Sequence, residues 1–185
     1  MVHPAASRWL RWGVLAVIAV TLGAFLVEGA NRPPRPELLP AGATIPSKLP
    51  GFGEVGFRVE SPFVPDAVAR RTRCALLAST AAQRAEGLMH RQDLAGYQGM
   101  IFEFDGLSTD GFYMKDTLIP LSIAWFSQAG RYVSSTTMSP CPKGTASCPD
   151  YFAAGPYSVA IEVGAGRLPG LGIGPGSAIT VGGPC

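Results

Sequence analysis

The sequence predicts a mainly β domain bordering on α+β: an antiparallel β-sandwich or a partly closed barrel with one short helix. Three observations carry this. Beyond Phe52, short apolar stretches rich in β-branched and aromatic residues recur between Gly- and Pro-containing turns. One stretch alone has the start and stop signals of a helix. Apolar residues make up 47% of the 185-residue chain and charged ones 15%, which supports a core and excludes a disordered polyampholyte.

Taken in order, residues 55–59 alternate weakly, and 72–78 read as a strand carrying Cys74. The helix follows over 80–86. Thr80 and Gln83 make a capping box, Ala81, Ala82 and Ala85 favour helix, and Gly87 stops it. Strands are expected over 100–104, 112–115 and 118–126, the last an edge strand or bulge because Pro120 lies in it. Residues 131–137 return after the turn Gln128-Ala129-Gly130. Val159, Ile161 and Val163 alternate with Ser158, Ala160 and Glu162 as a half-buried strand, and 178–181 close the domain. The glycines between Gly164 and Gly176 lack the following helix of a phosphate cradle and read as a surface turn.

Ahead of this domain (52–185), residues 1–30 read as a signal peptide or signal anchor. Arg8 and Arg11 precede an apolar run over 12–27 that ends at Glu28. The run is 16 residues long, between a secretory core and a full span, so cleaved and retained forms both stand. Either way the basic flank stays inside and the remainder is exported, with membrane attachment through this segment. Residues 31–51 carry six prolines and read as an extended linker.

Charge and cysteines sharpen the address. The first 51 residues carry a net +3 and the rest a net −1, so the domain has no footprint for nucleic acid. All four cysteines lie beyond the apolar run, as expected of an oxidising compartment. The turn-rich loop around Pro142 and Gly144 favours a Cys141–Cys148 bridge, which leaves Cys74–Cys185. A four-thiolate zinc site needs closer paired spacings, so no metal is expected.

The densest chemistry lies over 87–121. Gly87-Leu88-Met89-His90-Arg91, Gly99-Met100-Ile101-Phe102-Glu103-Phe104 and the run from Phe112-Tyr113-Met114-Lys115-Asp116-Thr117 to Leu121 follow at close spacing. Arg91 on a rigid turn could fork an anion bidentately. Alternation puts Tyr113, Lys115 and Thr117 on one strand face, with Glu162 as a counter-charge for Lys115, and Phe112, Met114 and Asp116 on the other. Tyr151 and Phe152 are candidate sugar-stacking aromatics.

These three pieces resemble the domain-of-unknown-function family 192, in the manner of an exported, actinobacterial-type member with extra cysteines. The resemblance covers about 74–181 and implies the same β-rich fold, without an activity. The family usually has Trp where this chain has Tyr113, Asn at Asp116 and Asp at Ser122.

Catalytic signatures are sparse. His90 is the one histidine beyond the apolar run, there is no G-x-S-x-G elbow, and no cofactor motif is present. The leading reading is a non-catalytic module binding a small ligand or envelope glycan through Arg91, Tyr113, Lys115, Asp116 and Glu162. Two alternatives stand beside it. One is a hydrolase or transferase of the envelope using carboxylates such as Asp116 and Glu162. The other is a structural partner of another envelope protein, docking through the Pro120 edge strand.

Overall fold

The structure, a computed structural model, describes residues 45–46, 48–69, 71–141, 143–145 and 147–185. The expected export segment and most of the proline-rich linker lie outside the described residues. Among the described residues no helix is long and apolar enough to cross a membrane.

Among the described residues ten strands form the body: β1 (Ile45–Pro46), β2 (Gly53–Glu60), β3 (Arg73–Ala78), β4 (Met100–Ser108), β5 (Phe112–Tyr113), β6 (Leu121–Phe126), β7 (Tyr132–Met138), β8 (Asp150–Tyr151), β9 (Tyr157–Gly164) and β10 (Ala178–Val181). Helices are minor: α1 (Asp66–Ala69), α2 (Ala81–Glu86) and a single 3₁₀ turn at Pro169–Leu171. Eight strands make one sheet in the order β1-β2-β3-β4-β9-β6-β7, with β10 on the edge of β2 that β1 also uses; β5 and β8 pair separately. Every pairing is antiparallel except β3 with β4. The sheet thus takes in Ile45 and Pro46, ahead of Phe52.

The sheet curls until its ends meet. Ala178 bridges Arg131, the Ile179 N–H donates to the Gly130 carbonyl at 2.8 Å, and the Tyr132 N–H donates to Ser177 at 3.0 Å. Gly130 is required here: its φ is +71°, and a Cβ would run into the Ile179 carbonyl. The result is a partly closed barrel.

Two cores follow. Val55, Phe57, Val59, Phe126, Ile161 and Val163 fill the interior, plugged by Leu168, Leu171 and Ile173 from the glycine-rich segment. That segment therefore seals the barrel and is not a bare surface turn. The outer face carries Leu76, Met100, Phe102, Ile123, Trp125 and Tyr157, covered by Leu88, Tyr97 and Met114 from the connecting loops. The central strands are dry on both sides, so β6 is buried at every position.

Two expectations are corrected by this double covering. Pro120 precedes β6, and β6 is a central strand between β9 and β7, so no edge is available there for a partner. β9 is not half-exposed: its polar residues Ser158 and Glu162 are 7% and 4% exposed.

The helix forms as its signals dictate. Thr80 Oγ1 accepts from the Gln83 N–H at 3.2 Å, and Gln83 Oε1 accepts from the Thr80 N–H at 3.1 Å. Gly87 ends α2 with φ at +50°, its N–H donating to the Gln83 carbonyl. The Cys141–Cys148 disulfide is closed. The Cys74–Cys185 bridge is not closed in this structure, although the two thiols are neighbours.

Candidate functional site

Where α2 and the paired strands β5 and β8 cover the outer face, they leave a cleft of about 350 Å³. Its floor is β4 and β9, one wall is the second half of α2, and the other wall begins at Asp110 and continues into β5. The covering pieces are short, which is why the gap stays open.

Glu162 lies at this floor, in a register that sets it between Met100 on β4 and Ile123 on β6. Gly99 allows the close approach: a Cβ there would strike the Glu162 carbonyl oxygen and come within 2.9 Å of Val163. Burial alone pushes the Glu162 carboxyl up to about 8, with no hydrogen bond or neighbouring charge offsetting it. At neutral pH the group is therefore an uncharged acid, able both to donate and to accept a hydrogen bond.

Aromatic rings line the rest of the cleft. Phe112 meets Phe102 edge-on at 5.1 Å, and Phe104 meets Tyr157 edge-on at 5.2 Å. Arg84 reaches in from α2, its Nη1 donating to the carbonyls of Ser79 at 2.6 Å and Glu103 at 2.8 Å, with the guanidinium stacked 4.8 Å from the Phe104 ring. The Tyr157 hydroxyl donates to the Asp110 carbonyl at 2.7 Å, and burial raises the pKa of that phenol. Asp110 itself accepts from Ser108 Oγ at 3.0 Å. Among the described residues no three His, Cys, Asp or Glu side chains gather as metal ligands.

Of the residues singled out from sequence, Glu162 and Tyr113 share this cleft. Tyr113 is half-exposed at the rim, where its hydroxyl donates to the Ala85 carbonyl at 3.3 Å and ties β5 to α2. Arg91 points elsewhere, ion-paired with Glu86 at 3.7 Å and stacked 5.2 Å over Phe52. Lys115 is exposed and does not line the cleft, so it is no counter-charge for Glu162. Asp116 serves the backbone: its N–H donates to Cys141 and its carbonyl accepts from His90, both at 2.9 Å. Asp116 and His90 have φ of +54° and +61°, and Asp, like Asn, tolerates that left-handed region better than most residues. Phe152 is exposed beside Gly111, and the Tyr151 hydroxyl accepts from the Ser139 N–H at 3.2 Å.

Sequence reasoning missed Arg84, Phe104, Asp110 and Tyr157. The available signal was Glu162 itself: an acid within Val159-Ala160-Ile161-Glu162-Val163 sits where a sheet has little room for charge.

Comparison with known proteins supports the architecture. A crystal structure of a protein of unknown function from Novosphingobium aromaticivorans DSM 12444 superposes with a TM-score of 0.62 at 28% identity, covering 76% of this chain and 94% of that one. A candidate transcription regulator from Sinorhizobium meliloti 1021 superposes with a TM-score of 0.55 at 24% identity, covering 70% and 95%, which shows the fold alone. No curated protein matches the chain. The family model DUF192, described as an uncharacterized ACR, matches residues 66–181, and the chain belongs to that family.

Proposed function

We propose that this is a non-catalytic binding module that takes a small, neutral, hydroxyl-bearing ligand, a sugar unit of the cell envelope, into the Glu162 cleft. One observation carries the reading: a carboxyl on a buried residue, with no hydrogen-bond partner among the described residues, held uncharged at the floor of an aromatic-lined cavity. A buried polar group without a partner costs about 1–3 kcal/mol, and a ligand hydroxyl that pairs with it recovers that cost. The rings offer apolar faces for the ligand's C–H surface. The basic flank and apolar run over 1–30 support placement of the domain outside the cytoplasmic membrane.

The test is a titration of the full chain with neutral mono- and disaccharides, followed by the amide signals of β9 and α2. Binding is expected to shift those signals, weaken at least tenfold in Glu162→Ala, and fall off above about pH 8 as the acid ionises. Affinity unchanged in Glu162→Ala, or signals moving only at Tyr151 and Phe152, would remove the site.

A second reading has its own support. Asp110 and Glu162 line one cleft, and a carboxyl kept protonated is what a general acid in glycoside cleavage requires. Release of a chromogenic aglycone, lost in both Asp110→Asn and Glu162→Gln, would favour it over simple binding.

A further inference from the structure

We propose that Cys74 and Cys185 close a second cystine, which fastens the segment after β10 across the sheet. The path of the chain argues for it. Gly56 on β2 stands opposite Cys74 on β3. The backbone groups of Gly56 are engaged on its other edge: its N–H donates to the Gly183 carbonyl, and its carbonyl accepts from the Gly182 N–H, both at 2.9 Å. From there the chain crosses directly over Gly56. A Cβ at that position would lie 2.7 Å from the Pro184 carbonyl oxygen and 3.1 Å from that of Gly183. Gly182 and Gly183, with φ of +139° and +81°, supply the bend. The crossing delivers Cys185 to the neighbourhood of Cys74, the residue opposite Gly56.

Cys185 is exposed and open to an oxidant. Closure proceeds by exchange with an incoming low-molecular-weight or protein disulfide. One of the two sulfurs, as thiolate, attacks that disulfide; a mixed disulfide forms and one thiol leaves. The second sulfur, having lost its proton, attacks the mixed bond, closes Cys74–Cys185 and releases the second thiol. Two protons and two electrons pass from the protein to the oxidant.

The experiment treats the full chain with oxidised glutathione, then alkylates, digests and weighs the peptides without reductant. A peptide pair joined through Cys74 and Cys185 is expected, beside the Cys141–Cys148 loop, with a melting temperature about 10 °C above that of the dithiol form. Cys74→Ser and Cys185→Ser should each lose the gain while melting near the reduced wild type. Gly56→Ala, which keeps both thiols but obstructs the crossing, should slow closure at least tenfold. Two alkylated thiols, stable glutathione adducts on either cysteine, or closure unaffected by Gly56→Ala would overturn the proposal.

Discussion

The two faces of β9 are both covered, by different means and with different results. Inward, Ile161 and Val163 meet strands of the same barrel and the plug from Leu168 to Ile173, and the packing is apolar throughout. Outward, Ala160 and Glu162 lie on the face covered by α2 and by the paired strands β5 and β8, elements of six and two residues that cannot tile the surface completely. A sheet closing on itself makes a uniform core, whereas a sheet covered by short pieces keeps a gap. The gap is where an acid survives.

The sharpest way to break this contrast is through the proton on Glu162. Its folded pKa near 8 stands above the ordinary value of 4.5, so folding takes up a proton between those limits. The contribution of this group to stability is therefore greatest below about pH 4.5, declines as pH rises toward 8 and levels off above it, a total on the order of 5 kcal/mol. Denaturant melts of Glu162→Gln across that range should lack the decline. An identical slope in variant and wild type would mean the acid is not sealed.

The inner face should respond to volume alone. Ile161→Ala leaves a cavity among close-packed neighbours and is expected to cost about 3 kcal/mol, with the same loss at pH 5 and pH 9 by chemical unfolding. A pH-dependent loss would blur the distinction between the faces.

The covering layer is held by smaller forces. Thr80→Ala removes the cap of α2 and should cost about 1 kcal/mol, measured by thermal unfolding, while loosening the cleft wall that Arg84 occupies. Arg91→Ala removes an ion pair whose partner Glu86 is half-exposed, and is expected to cost below about 1 kcal/mol by the same measurement and to leave ligand affinity unchanged.

The sequence revealed the inner face of β9 and hid the outer one. Alternation at Val159, Ile161 and Val163 is a local signal of period two, and so is the capping box at Thr80 and Gln83. Burial of Glu162 is not local: it depends on residues 81–88 and 110–113, brought over β9 by the parallel β3–β4 crossover and by the excursion between β4 and β6 that pairs with β8. The conspicuous run over 87–121 divides for the same reason. Leu88, Met89, Phe112 and Tyr113 line the cleft, while Arg91, Lys115 and Asp116 turn away because His90 and Asp116 reverse the chain with positive φ. Pro120 looked internal to a strand because apolar residues continue on both sides of it. The chain pairs only from Leu121, and the Pro120 carbonyl instead accepts from the Ala165 N–H at 3.1 Å.

The joint between Gly130 and Ile179 has its own consequence. Elsewhere along the cylinder, neighbours such as β6 and β9 are zipped over six residue pairs, whereas this stitch rests on the amides of Tyr132 and Ile179. Hydrogen–deuterium exchange should reach those two amides well before any in β6, so that the molecule unrolls from one edge like a scroll whose last turn was never glued down.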